Sequence, residues 1–477
     1  MQGILKILTF FSLIFLIVPK TKSQNHDLDS KIGYEYSFKI EQSIGVYDDS
    51  AKSDYVKLIG QRLIKHLEQK LFDYHFRILD SSEPNAFALP GGYVYITRGL
   101  LLLLNSEDEL ACVMAHEIIH SQERHTIKQM RKSILPGILQ IPGSIIGGIA
   151  GQDVGILINS PILYGSKIYL SGYSRKNERK ADQLGMSLAA KAGYDPGKLG
   201  VILASISKEL ELRTGEKEKK NYLTDHPYTP DRVEYIQKTK ENLDISPINK
   251  ELEDNLFVTI LNDLVVDQNP EQGLVIENAF IHPKLKIKME FPENWTIRNS
   301  PLMVAAIDPD HSAAIVLRIN EEESDPDSAA LKFHRAIRNE NIETLTNESI
   351  HINNLQAHLL TLRSFQDERY SYFQSAWIKK DSLLYNLIGV APENLKEDLK
   401  STTLSFQPVL NDDWDNIQYK KVKVVTSHEG ESLTEIISRN QSVEDKELTG
   451  IINNLESDYI FDNNRLVKVI ISKKYVD

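Results

Sequence analysis

The sequence predicts a multidomain α+β protein: a mainly helical domain first, an α+β module after it, and a small β-α-α-β domain last. Three observations lead there. A length of 477 residues implies two to four domains. Helical patterning dominates around 106–122 and after 175–182, whereas strand-like alternation takes over from Leu274. Residues 419–475 begin and end with β-branched runs, Val422-Lys423-Val424-Val425 and Leu466 to Ile471, which bracket two helical stretches. The expected boundaries are 24–248, 249–410 and 419–475, preceded by a leader at 1–23.

The first helix is signalled before any chemistry is considered. Ser106-Glu107-Asp108-Glu109 reads as a capping box, with the Ser106 hydroxyl placed for an early amide and acidic residues crowding the positive end of the helix dipole. Leu110, Val113, Met114, Ile118 and Ile119 then supply the apolar content of a buried helix.

Within that helix lies His116-Glu117-Ile118-Ile119-His120, an H-E-x-x-H arrangement. Histidines four apart share one helical face, so both imidazoles reach a single metal ion. Glu117 flanks the same point, where a carboxylate can take the proton of a water as it attacks a carbonyl. A chance match on a core helix would look the same locally. Catalytic zinc commonly takes two His and one Glu, which makes Glu178, in Arg175 to Asp182, the natural third ligand. Asp182 lies one turn on and could orient a ligand histidine through its ring N–H. Taken alone, this E-x-x-x-D also fits a solvated face among basic residues.

Four motifs in order carry a resemblance: Asn85 to Gly92, His116-Glu117 to His120 with Arg124-His125, Glu178 with Ala181-Asp182, and His226-Pro227. Together they resemble the gluzincin metallopeptidases that include HtpX, the CAAX prenyl endopeptidases and the periplasmic β-barrel assembly-enhancing proteases. The resemblance covers about residues 30 to 240. It implies a zincin-type catalytic domain with one Zn2+ per chain, held by His116, His120 and Glu178, with Glu117 as general base. Asn85, Ala86, Phe87 and Ala88 resemble the strand along which such enzymes lay an extended substrate; strand pairing reads backbone and tolerates many sequences. For His226 two roles stay open, a donor to the oxyanion or a fourth metal ligand that displaces water. A surface turn capping the next helix is the plain alternative.

The leader has a basic start at Lys6, an apolar run from Ile7 to Val18 and a polar exit to Ser23, the layout of a secretory signal peptide. It implies an exported protein, periplasmic or associated with the cell envelope. Cys112 is the single cysteine, so no intramolecular disulfide forms; its place one turn before His116 suits a small buried hydrophobe. A formal net charge of −12 with no basic stripe argues against nucleic-acid binding.

Between the two metal motifs, Ser133 to Ser171 is poor in charge and punctuated by Pro and Gly. It reads as two short helices on the core or as a lid making peripheral membrane contact. In the α+β module, Leu285 to Met289, Ala305 to Ile307 and Ala313 to Leu317 read as strands, Ser328 to Arg338 as a helix, and Tyr370 to Val390 as a strand pair turning at Lys380-Asp381. Gly430-Glu431-Ser432-Leu433 with Ile436 and Ile437, and Leu448 to Asn454, resemble the opening and middle of a LysM repeat, although the usual glycine before the final strand is absent. That resemblance implies peptidoglycan contact; a packing domain without ligand is the alternative.

The expected function is a secreted or periplasmic zinc endopeptidase acting on misfolded or stalled envelope proteins, outer-membrane proteins among them. The alternative is a catalytically latent chaperone or wall-bound adaptor on a protease fold.

Overall fold

The structure is a computed structural model that describes residues 22–128, 173–215, 226, 230–244, 250–337, 342–366, 369–414 and 417–475. Nearly all of the leader and the whole of the 133–171 insertion therefore lie outside the described residues.

The chain opens with α1 (Lys22–Ile44) and α2 (Ser50–Ile64), then β1 (His75–Leu79), β2 (Ala86–Leu89) and β3 (Tyr93–Thr97). The strands form one sheet in the order β1-β3-β2, with β1 parallel and β2 antiparallel to β3, which leaves β2 at the edge. Pro90-Gly91-Gly92 makes the turn between β2 and β3, and both glycines have positive φ, 81° and 94°, which side-chain-bearing residues rarely adopt.

Next come α3 (Arg98–Leu103) and α4 (Glu107–Gln122). Ser106 accepts from the Glu109 amide at 3.2 Å as expected, but the Glu109 carboxylate reaches Asn105 N at 2.7 Å, one residue earlier than a capping box requires. Residues 107–121 of α4 are all buried, so the helix is a core element with no solvent face. Against it lie α5 (Arg175–Lys191), α6 (Lys198–Thr214), α7 (Pro230–Lys240) and α8 (Lys250–Ile260). Gly185 of α5 sets the closest approach: a Cβ there would stand 3.0 Å from His116 N and 3.1 Å from His116 Cα. Any side chain at 185 would lever α5 away from the metal-motif helix. Phe257 of α8 and Leu261 just after it join the same core, so the start of the segment assigned to the second domain packs on the first.

The α+β module holds β4 (Leu274–Ile276), β5 (Ala279–His282), β6 (Ile287–Glu290), β7 (Thr296–Ser300), β8 (Met303–Ile307), β9 (Ala314–Asn320) and α9 (Pro326–Ala336). It continues with β10 (Ile342–Ile352), β11 (Leu355–Gln366), β12 (Arg369–Lys380), β13 (Leu383–Pro392), α10 (Lys396–Ser405) and β14 (Gln407–Pro408). A seven-stranded sheet runs β10-β11-β12-β13-β9-β8-β7, beside a smaller one ordered β14-β6-β5-β4. Alternation sends Ile315, Leu317, Tyr385 and Leu387 to one face, under Met289 and Phe291. Phe373 and Trp377 go to the other, under Phe333 of α9. The β12–β13 turn falls at the expected Asp381, whose φ is 54°. The long hairpin β10–β11 was not anticipated; it turns at Asn353-Asn354, both with positive φ.

After α11 (Asn411–Trp414), the last elements are β15 (Gln418–Thr426), α12 (Leu433–Asn440), α13 (Lys446–Ile452) and β16 (Leu466–Lys474), the β-α-α-β order expected. This domain is anchored to the helical one. Val422, Ile452 and Ile470 belong to the same apolar core as α4. Lys468 is fully buried, and its Nζ donates to Leu102 O at 2.7 Å and Leu104 O at 2.6 Å at the end of α3. Burial pulls its ammonium down to about 7, against the opposing pull of Glu109. Among the described residues no helix is long and apolar enough to cross a membrane.

Candidate metal centre

Helix α4 stacks His116 and His120 on one face, as the four-residue spacing requires. Helix α5 starts at Ser174, whose side chain caps the Asn177 amide, so that Glu178 falls in the first turn and Asp182 in the next. His226 arrives from the chain just before α7. Ligand atoms of His116, His120, Glu178 and His226 all lie within 4.8 Å of one another. His120 Nε2 is 2.9 Å from His116 Nε2, and His226 Nδ1 is 3.0 Å from both His116 Nε2 and Glu178 Oε2. All four residues are buried, the three histidines at 0% exposure.

The chemistry of this donor set fits a metal ion. Three imidazoles and a carboxylate converge out of water, and Glu178 Oε1 makes no hydrogen bond. Donors about 2.0–2.1 Å from a tetrahedral zinc stand roughly 3.3 Å apart, close to the separations found here. Their electrostatics agree. Burial pushes His120 well below the usual imidazole range. Burial would raise Glu178, yet His226, His120 and His116 outweigh it and hold the carboxylate well below its normal value. His226 moves the other way: burial opposes its charge, but Glu178 and Glu117 lift it to about 9.

Glu117 lies beside the cluster and is wholly buried. Neither carboxylate oxygen makes a hydrogen bond, although Oε1 comes within 3.4 Å of His226 Nε2. Burial is the main cause of its raised pKa, against the pull of His226 and His116. A raised carboxyl pKa suits a group that must take up and release a proton.

Asp182 Oδ1 sits 2.9 Å from His116 Nδ1. Arg232, in the first turn of α7, grips Asp182 by both oxygens, Nε–Oδ2 at 2.9 Å and Nη2–Oδ1 at 2.7 Å, and donates to His226 O at 3.0 Å. Tyr235 also donates to Asp182. In the sequence Arg232 reads as a lesser candidate, beside His226, for an oxyanion donor, and Tyr235 has no role. Arg at the third and Tyr at the sixth residue of α7 share a face, and that spacing was the available signal. His125, part of the sequence motif but given no role there, has its Nδ1 3.3 Å from His120 Nδ1, and Tyr173, absent from the sequence reading, has its ring 3.9 Å from that of His120. The strand residues Asn85, Ala86, Phe87 and Ala88 are buried and stand outside the donor cluster, at and just before the start of β2. Asn85 Oδ1 is a buried acceptor with no hydrogen-bond partner.

Residues 50–240 match the family described as Peptidase family M48. A Vibrio cholerae protein whose name makes it a candidate beta-barrel assembly-enhancing protease is 32% identical over 204 residues, 42% of either chain. The Escherichia coli (strain K12) Beta-barrel assembly-enhancing protease is 27% identical over 209 residues, 43% of this chain and 42% of that one. The Mitochondrial metalloendopeptidase OMA1 of Schizosaccharomyces pombe is 26% identical over 185 residues, 39% of this chain and 52% of that one. The match thus spans about half, or less, of the length of these relatives. Residues 50–240 are an M48 peptidase domain, and its four-residue cluster is able to hold the zinc that this family uses.

Proposed function

We propose that the chain is a zinc-dependent endopeptidase of the cell envelope, in which His116, His120 and Glu178 hold the metal and Glu117 is the general base. The observation that carries this reading is Glu117 itself, a wholly buried carboxylate with no hydrogen bond beside four convergent donors. Its carboxylate meets the His226 ring at 3.4 Å but makes no hydrogen bond, which leaves its acceptor capacity for a water. Zinc bound at the cluster supplies Lewis acidity, lowering the pKa of a water and polarising the scissile carbonyl. Glu117 takes the proton of the attacking water and passes it to the leaving amine. Asp182 keeps the His116 ring turned, and Arg232 keeps Asp182 ionised: burial would raise that carboxyl, but the guanidinium and the His116 contacts hold it below its usual value. Asn85 to Ala88 and the β2 edge bind the substrate backbone.

His226 gates this centre in the proposed scheme. Its Nδ1 at 3.0 Å from His116 Nε2 favours the fourth-ligand role over the oxyanion donor, and a four-ligand zinc has no place for water. The conformation is then latent, and opening requires His226 to leave, with the Arg232 hold on its carbonyl broken or carried along.

The substrates are misfolded or stalled envelope proteins, a class suggested by relatives named for β-barrel assembly. Envelope residence rests on the leader pattern at 1–23. Peptidoglycan contact through 419–475 and peripheral membrane contact through 133–171 extend the same proposal to the flanking segments. The second reading, a latent chaperone or adaptor, draws on the closed four-donor set; it predicts that the cellular role survives Glu117→Gln.

The test is zinc content and casein hydrolysis for the parent, Glu117→Gln and His226→Ala. Zinc in all three, with hydrolysis lost in Glu117→Gln and raised in His226→Ala, supports a self-gated peptidase. Hydrolysis that persists in Glu117→Gln overturns the mechanism.

A further inference from the structure

We infer that Thr126 is a built-in stop on the substrate strand, a residue that sets how far a bound chain can extend along β2. The inference rests on the proposed reading of β2 as the substrate strand.

Strand β2 pairs with β3 in the register Ala86–Ile96, Phe87–Tyr95, Ala88–Val94. Asn85 O accepts the Thr97 amide at 2.9 Å, so by antiparallel alternation Phe87 also bonds toward β3 while Ala86 and Ala88 turn their N–H and C=O outward. An added strand would bring an N–H to about 2.9 Å from each outward carbonyl. At Ala88 that place is taken: Thr126 Oγ1 donates to Ala88 O at 2.8 Å. Ala86 turns its carbonyl to the same outward edge; it is 0% exposed in this latent conformation, so a guest reaches it only once the centre opens, and pairing beyond it then meets the threonine side chain.

The stop is braced on two sides. The Thr126 hydroxyl is 2.8 Å from the Tyr173 hydroxyl, and the Tyr173 ring lies over His120, which ties the stop to the metal centre. On the other side, Arg124 turns the chain after α4 with a φ of 58° and pairs through Nη2 with Asp29 of α1 at 2.8 Å. Helix α1 walls off the chain beyond β2, since a Cβ on Gly33 would lie 1.8 Å from Pro90 O. A bound chain therefore pairs beside Ala86 and turns away at Ala88. The centre favours chain ends, bends or short extended stretches over long continuous strands.

The experiment uses the zinc-loaded chain and internally quenched peptides lengthened step by step at either end. Fluorescein-labelled versions of the same peptides report binding to zinc-loaded Glu117→Gln. In the parent background, kcat/KM and affinity level off once the peptide is extended at one end. Thr126→Val, which keeps the shape and removes the hydroxyl, lifts that plateau, so the long-to-short ratio rises about five-fold, the worth of one hydrogen bond. Thr126→Ser keeps the parental profile, and Asp29→Asn, which loosens Arg124, shifts it in the direction of Thr126→Val.

Identical length profiles in parent and Thr126→Val overturn the stop. Peptides cleaved with unchanged profiles defeat the stop and leave the peptidase standing. Binding profiles that shift while no variant hydrolyses anything defeat the peptidase and leave the stop standing.

Discussion

Around α4 and α5 the chain buries His116, Glu117, His120, Glu178, Asp182, His226 and Arg232, whereas the interior of the seven-stranded sheet relies on neutral groups such as Gln374, Ser375 and Asn386. In the sheet these groups complete one another: Asn386 Nδ2 donates to Ser375 Oγ at 2.9 Å, and Gln374 Nε2 donates to Thr403 Oγ1 at 2.6 Å. Its buried carboxylate, Asp308, closes its own loop by accepting from Asp310 N at 3.1 Å. In the metal region the charges face a common point and leave Glu117 without a hydrogen bond. Satisfied neutral networks serve folding, while buried charge aimed at a gap is kept for a guest.

The contrast can be broken in four places. The largest expected effect is Glu117→Gln, which lowers hydrolysis about 10^3-fold while leaving the melting temperature and zinc content unchanged. A matching loss of stability would make Glu117 a folding residue. Trp377→Ala empties the α9-covered face of the sheet and should cost about 4 kcal/mol of the sheet's unfolding free energy. Denaturant titration reads that loss; zinc binding lost in step would mean the two regions unfold as one. Arg232→Met strips Asp182 of its cation and frees the His226 carbonyl, with an expected cost of about 3 kcal/mol. Zinc should then exchange faster into chelator, and an unchanged exchange rate would remove Arg232 from the gate.

The smallest effect is set by pH. Burial lowers His282, on β5, from 6.5 to about 4. As pH falls from 6.5 toward 4 the unfolded chain takes up a proton that the folded one refuses, so stability drops across that interval and then levels off. His282→Gln should flatten that fall in urea titrations. Equal slopes in the two proteins would place the acid sensitivity elsewhere.

How much of this was legible in the sequence depended on the distance between partners. Helix α4 announced itself through Ser106 and its acidic turn, which are local signals. Glu178 and Asp182 were ambiguous alone, because a charged first turn looks the same whether it faces water or a metal. Their approach to His116 depends on Gly185, a contact between helices that no local pattern reports. Thr126 and Tyr173 were illegible for the same reason: Thr126 meets a carbonyl 38 residues earlier and a hydroxyl 47 residues later. The β10–β11 hairpin had a local sign in Asn353-Asn354, overlooked because charged residues interrupt the alternation before it. The β-α-α-β order of the last domain was readable from its β-branched ends, but its anchorage through Lys468 was not, since lysine in a strand ordinarily points to solvent.

That anchorage bears on the order in which the molecule is made. The carbonyls of Leu102 and Leu104, just ahead of the metal-motif helix, take their hydrogen bonds from a lysine 366 and 364 residues further along the chain. At ordinary translation speeds of 5–20 residues per second, the ribosome needs roughly 20 to 70 s to bridge that interval. Throughout that wait the nascent helical domain carries two carbonyls without their final donor and an apolar face without Val422, Ile452 and Ile470. The packing of the helical domain is therefore completed late in synthesis, long after its metal motif has emerged.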